Sequence, residues 1–311
     1  MTFFLFLLCA VAAILLMGGY YTYRIAFYSP KKGRDKISTF ASHKYDPYRK
    51  EINRLFCQLS DRPYEEVSIV SFDGLTLFGR YYHVKDGAPL DIAFHGYRSS
   101  ALTDFAGGSE LSFSMGHNLL LIDERAHGRS KGRTITFGIQ ERWDADSWVR
   151  YAVERFGADT EIILYGISMG AATVLMAAGL DLPENVKGII ADCPYSSPKD
   201  IICKVAKDMH MPDRLSWPFV KIGGRVYGGF DVDETDAARA VKQAKVPILI
   251  IHGESDSFVP CEMSDIVSEN PALITRCTFP GADHGFSYLV DTPRYRKIVT
   301  EFMEKVLAPK A

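Results

Sequence analysis

The sequence predicts an α/β protein built on a mostly parallel sheet covered by helices. Three observations carry that prediction. Five short apolar runs, at residues 90–94, 118–122, 162–165, 186–191 and 247–252, have the composition of strands buried on both faces. Amphipathic helical stretches at 140–156 and 294–307 lie between or after them, so strand and helix alternate along the chain. With 311 residues and 47% hydrophobic content, the chain has material for one large domain with additions.

The first element is apolar. Residues 3–23 carry no charged side chain, and as a helix rising ~1.5 Å per residue the run reaches roughly 30 Å, enough to cross a hydrocarbon core. Tyr20, Tyr21 and Tyr23 suit an interface, where a ring faces lipid and its hydroxyl faces water, and Arg24 ends the run. Residues 1–24 are therefore read as a transmembrane anchor. A cleaved secretory signal calls for a basic start, a shorter apolar core and a small-x-small cleavage site, which this run does not offer. Lys31, Lys32, Arg34 and Lys36 follow it, and the positive-inside rule then leaves the bulk of the chain in the cytoplasm, as a single-pass cell-membrane protein.

Residues 25–63 read as a juxtamembrane segment with one helix. Asp46-Pro47 offers a cap and a first-turn proline, and Ile52, Leu55, Phe56 and Leu59 recur on one face; Lys44, Arg49 and Lys50 read as its solvated side. The main domain, 64–311, begins with β-rich runs at 67–72 and 75–82 joined by Asp73-Gly74, a pair favoured in a type I′ hairpin. After the strand ending near Asp192, about forty residues precede a helix expected at 234–244, more than a simple connection needs. They are read as a helical cap at about 195–233. The last strand is expected at 275–279.

Composition excludes some roles. A formal net charge of −2 gives no reason to expect a nucleic-acid partner. The six cysteines, Cys9, Cys57, Cys193, Cys203, Cys261 and Cys277, lack metal-ligand spacing and are expected to be reduced and mostly buried. No metal is called for by that spacing, and oligomeric state is not legible.

Gly166-Ile167-Ser168-Met169-Gly170 follows the run at 162–165 and precedes the small residues Ala171, Ala172 and Ala178. A strand passing directly into a helix with a serine at the bend needs small neighbours, which the glycines provide. In such a sheet ligands bind beyond the carboxyl ends of the strands. The loops there are His95-Gly96-Tyr97-Arg98-Ser99, the segment 252–260 with Glu254 and Asp256, and Gly281-Ala282-Asp283-His284-Gly285. A serine alcohol needs a base to take its proton, and an imidazole suits that task when a carboxylate fixes its tautomer. The order Ser168, Asp256, His284 is the one expected of a hydrolase sheet. Spacing alone leaves Glu254 and Asp256 as rivals.

Together these residues resemble the α/β-hydrolase superfamily over roughly residues 64 to 308, in particular its serine aminopeptidase-like and membrane-anchored abhydrolase branch. The loop Asp123-Glu124-Arg125-Ala126-His127-Gly128-Arg129-Ser130 is similar to that branch's D-x-R-x-x-G-x-S segment. The resemblance implies Ser168 as nucleophile, His284 as general base and then acid, Asp256 rather than Glu254 as the orienting acid, the N–H groups of Tyr97 and Met169 as oxyanion hole, and no cofactor. His95, His127 and His252 are expected to brace loops, and Asp283 to point away from His284. Within the cap, Met211, Trp217 and Phe219 are the first candidates for substrate binding, with Met209, Val220, Val226 and Tyr227 behind them or merely packing. Replacing Trp217 is expected to change acyl-chain selectivity. The function implied is a membrane-anchored serine hydrolase acting on a small-molecule or lipid-like acyl ester, thioester or amide. A small peptidase, a cofactor-free lyase or haloperoxidase-like activity, and a non-catalytic binding scaffold are the alternatives.

Overall fold

In a computed structural model of the chain, residues 2–30 and 43–308 are described. Eight strands form one sheet: β1 Glu65–Val70, β2 Thr76–Tyr82, β3 Leu90–Phe94, β4 Asn118–Asp123, β5 Ile162–Ile167, β6 Val186–Asp192, β7 Ile248–Gly253 and β8 Ile274–Phe279. The spatial order is β1-β2-β4-β3-β5-β6-β7-β8. β1 and β2 pair antiparallel with each other, as do β2 and β4, and every later neighbour is parallel.

The apolar runs lie where continuous burial demands. Every residue of β3, β4 and β7 is buried, and the two-residue period sends alternate side chains to opposite faces. Leu90, Ile92, Phe94, Ile162 and Leu164 join one core layer. Ala93, Leu119, Leu121, Ile163 and Tyr165 join the other.

The helices are α1 Thr2–Thr22, α2 Arg49–Ser60, α3 Ala101–Asp104, α4 Ala106–Ser114, α5 Glu141–Phe156, α6 Met169–Ala177, α7 Pro198–Asp208, α8 Asp213–Ile222, α9 Ala237–Ala240, α10 Ser287–Val290 and α11 Thr292–Leu307. α5 and α6 contribute Trp148, Ala171 and Leu175 to the first layer. α2 and α11 contribute Leu55, Leu59, Tyr295 and Met303 to the second. α7 and α8 fill the insertion between β6 and β7, while the helix expected at 234–244 is shortened to α9 and one 3₁₀ turn, Val241–Gln243.

Three local expectations are corrected. The β1–β2 turn is a three-residue loop: Ser71 N donates to Leu75 O at 2.8 Å, and only Gly74 has positive φ, +84°. The Ser71 hydroxyl donates to Asp73 Oδ1 and accepts from Leu75 N, which favours this wider turn over type I′. α2 starts at Arg49 after a 3₁₀ turn, His43–Tyr48, that contains Asp46-Pro47, and Asp46 pairs with Arg49 at 2.6 Å instead of capping. Of the six free cysteines, only Cys193 is fully buried, and Cys9 and Cys57 are exposed.

The apolar segment Thr2–Phe27 is long and apolar enough to cross a membrane. Its C-terminal end is built into the globular domain. Gly18 and Gly19 lie directly against Phe219 and Ile222 of α8, and a Cβ at Gly223 would meet Gly19 O at 2.7 Å. Thr22 Oγ1 donates to Phe219 O at 2.8 Å, and the Tyr227 hydroxyl donates to Leu16 O at 3.1 Å. A π-helical turn, Tyr23–Phe27, follows and buries Phe27 against Phe137 and Phe230, with ring centroids 5.8 and 5.0 Å away. Lys31, Lys32, Arg34 and Lys36, on which the expected orientation rests, lie outside the described residues.

Candidate active site

Ser168 stands alone between β5 and α6, at φ 56° and ψ −113°. A non-glycine residue at positive φ is strained, and the surroundings hold it there. Ser168 N donates to Asp192 O at 2.8 Å, linking the turn to the end of β6. Gly166 and Gly170 leave no room for a Cβ, since one at Gly166 would strike the Gly170 carbonyl and one at Gly170 the Phe94 carbonyl.

The imidazole of His284, from the loop after β8, has Nε2 2.9 Å from Ser168 Oγ and Nδ1 2.7 Å from Asp256 Oδ2. A carboxylate only accepts, so Nδ1 carries the proton and Nε2 is left to accept from the serine hydroxyl. Asp256 Oδ1 accepts from Phe258 N at 2.9 Å and Val259 N at 2.8 Å. Its Oδ2 takes a further hydrogen bond from His252 Nε2 at 3.2 Å. Burial raises the Asp256 pKa, but the hydrogen bonds from His252, His284 and Val259 outweigh it and hold the carboxyl well below the usual range. Asp256 therefore stays ionised beside the imidazole.

The rivals are occupied elsewhere. Glu254 accepts from Thr278 Oγ1 at 2.6 Å. Asp283 Oδ1 accepts from Ser257 N at 2.8 Å and from the backbone N of His284 at 2.9 Å. His95 accepts from Glu124 N through Nε2 and donates to Gly96 O through Nδ1, at 3.2 and 2.8 Å. His127 accepts from Arg98 N at 2.9 Å. Arg125 forks onto Asp144 at 2.6 and 2.7 Å, which fixes the loop after β4. His252, by contrast, bears on the site itself, because it supplies a second imidazole hydrogen bond to Asp256.

The loop after β3 brings Tyr97 beside Ser168. Gly96 N donates to Asp104 Oδ2 at 2.7 Å, fixing the loop from behind. Its outer side is held by the end of the apolar N-terminal segment: the Tyr97 hydroxyl donates to Ala26 O at 2.7 Å, and Arg98 Nη2 to Ile25 O and Tyr28 O at 2.7 and 3.0 Å. Met169 opens α6, and amides of a helix's first turn have no intrahelical acceptor.

Ser168 borders two cavities. One, of about 390 Å³, is apolar and lies between the cap and the N-terminal segment, with Ile25, Ala26, Met209, Met211 and Val220 in its wall. The other, of about 410 Å³, is more polar and is bounded by Ser99, Asp104, His284 and Tyr288. Of the three first candidates Met211 lines the apolar cavity, and Trp217 and Phe219 line neither cavity. Phe219 is spent against Gly18 of α1, and Trp217 packs partly buried beneath Lys199, 5.8 Å from its ring.

Two neighbours of the site were not anticipated. Cys193 Sγ lies 4.0 Å from His284 Nε2. Asp192, at the end of β6, accepts a hydrogen bond from the Tyr295 hydroxyl at 2.8 Å, and its Oδ1 has no hydrogen-bond partner among the described residues. Burial pushes its carboxyl up to about 6, against the Tyr295 hydrogen bond and the nearby His252 and His284. Because the folded state holds this proton more tightly than an unfolded carboxyl near 3.9, the stabilisation is complete below about pH 4 and is lost as pH rises to about 6. Asp192→Asn cannot titrate, so its melting temperature relative to wild type should climb across that window. Parallel pH profiles for the two proteins would refute a raised Asp192 carboxyl.

A parallel sheet with a strained serine at the β5–α6 bend and a histidine after the last strand is the α/β-hydrolase arrangement. Residues 92–214 match the family model for the α/β hydrolase fold, and the chain has that fold. It is similar to the uncharacterised protein YqkD of Bacillus subtilis, 26% identical over 312 residues and covering 95% of each chain. Thiohydrolase aneE of Aspergillus aculeatus is 31% identical over 140 residues, 43% of this chain and 42% of that one. Among solved structures, an esterase of Pyrococcus furiosus superposes with a TM-score of 0.65 at 23% identity, covering 80% of this chain and 93% of that one.

Proposed function

We propose that this chain is a membrane-anchored serine hydrolase that cleaves acyl esters or thioesters through an acyl-enzyme intermediate. The observation that carries this reading is the line Ser168 Oγ, His284 Nε2, His284 Nδ1, Asp256 Oδ2, with hydrogen bonds of 2.9 and 2.7 Å, at the edge of an apolar cavity. His284 takes the Ser168 proton as Oγ attacks the carbonyl carbon. The negative charge that develops on the carbonyl oxygen is met by the N–H groups of Met169 and Tyr97. Collapse expels the alcohol or thiol, which receives the proton from Nε2. Water, deprotonated by the same imidazole, then releases the carboxylic acid and restores Ser168. Asp256 stays ionised throughout and stabilises the imidazolium. The apolar cavity suits the acyl group and the polar one the leaving group.

Labelling of Ser168 by a fluorophosphonate probe, with turnover of nitrophenyl esters and thioesters of graded chain length, tests the reading. Absence of both would overturn the hydrolase reading and leave a binding scaffold or a non-hydrolytic activity. The N-terminal helix is the anchor in this reading: Phe3, Leu5 and Phe6 are exposed, a costly arrangement in water and a favourable one in lipid. The expected orientation keeps the enzyme in the cytoplasm, so a cytoplasm-only reporter fused after Ala311 should fluoresce; activity of a periplasm-only reporter would reverse that orientation.

A further inference from the structure

The membrane helix does more than tether. Its contacts with the cap begin at Leu16 and continue through Gly18 and Gly19 to Thr22. A hydrocarbon core needs about 20 helical residues, and α1 has 21, Thr2–Thr22. A helix that spans the bilayer must therefore place in lipid, or at its edge, the turns already packed on α8. That draws α8 and the π-helical turn Gly223–Gly228 to the membrane boundary. Just beyond this seam, Thr22, Ile25 and Ala26 form one wall of the apolar cavity that ends at Ser168. Met209 and Phe258, on the same cavity, remain 51% and 41% exposed, an arrangement suited to a rim that meets lipid.

We infer that the end of the anchor is one wall of the acyl-binding site, and that the acyl chain enters this cavity from the bilayer. The substrate class is then an ester or thioester of a long-chain acid resident in the membrane. This inference rests on the serine-hydrolase reading. It also gives the pinning of Tyr97 and Arg98 to the carbonyls of Ile25, Ala26 and Tyr28 a purpose, because the same segment that receives the chain sets the loop beside the reacting carbonyl.

The full chain, reconstituted in phosphatidylcholine vesicles, is offered methylumbelliferyl palmitate either in the same vesicles or in separate protein-free vesicles. Hydrolysis should be confined to the ester that shares the enzyme's bilayer. Ile25→Trp, which fills the cavity from the anchor side, should lower the palmitate-to-acetate ratio of kcat/KM about ten-fold or more. Should that variant not fold, Ile25→Ala, which removes contact with the chain, should lower the same ratio. Equal use of palmitate from separate vesicles, or an unchanged ratio in a variant that still takes the fluorophosphonate label, overturns the inference. A wild type that neither hydrolyses the acetate ester nor takes the label fails earlier, at the hydrolase reading.

Discussion

Ser168→Ala is expected to lower kcat/KM toward acyl esters by a factor on the order of 10⁵, leaving only the residual acceleration that binding and backbone donors supply without a nucleophile. The size follows from what the hydroxyl does. In the proposed mechanism it forms the covalent bond to the substrate, and the Cys193 thiol, 4.0 Å from His284 Nε2, is held in its neutral form by burial and does not replace it. The substitution keeps the backbone bond to Asp192 and creates no new collision, so the melting temperature should stay near that of wild type. His284→Ala should cost nearly as much, and the double variant little more, because base and nucleophile act as one unit. Turnover retained in Ser168→Ala would assign the activity to another group, and additive losses would mean that the two residues do not share a proton.

Much of the sheet, and the meeting of Ser168, His284 and Asp256 at its edge, could be read from the sequence because both rest on local chemistry. Strands buried on both faces leave continuous apolar runs whatever the rest of the chain does, and all five reappear at the centre of the sheet within a residue or two. A serine bend needs glycines within two residues, so the motif around Ser168 is compact. Asp256 was harder: Glu254 stands two positions away with the same chemistry, and only the backbone donors of Phe258 and Val259 and the two imidazoles distinguish them. The cap lining was not legible. Trp217 and Phe219 have the same apolar character as Met211, and which of them faces the cavity depends on where α1 docks, about two hundred residues away in the chain. The same distance concealed the role of Ile25 and Ala26. In the β1–β2 turn, side-chain hydrogen bonds from Ser71 override the preference of the Asp-Gly pair.

Gly170→Ala should be the most destabilising single-methyl change in this turn, by about 3 kcal/mol or more. Helix propensity alone points the other way, because Ala in a helix is favoured over Gly by about 1 kcal/mol. Sterics decide the sign. A Cβ at Gly170 would run into the carbonyl of Phe94 and lie 2.7 Å from His95 O. Both are backbone atoms at the end of β3, which is held by β4 on one side and β5 on the other. Neither can yield as a flexible side chain would. Nor can α6 back away, since all nine of its residues are buried. Any relaxation must therefore lift the start of α6 from the sheet, carrying the Met169 amide and Ser168 with it, so activity should fall along with the melting temperature. Gly116→Ala is the control: Gly116 has φ +77° and open space around it, so its replacement should cost only about 1–2 kcal/mol of left-handed strain and leave turnover intact. Similar losses at both positions would mean that backbone conformation, and not the close approach of α6 to β3, governs the turn. A Gly170→Ala protein as stable and active as wild type would remove the packing that sets the nucleophile in place.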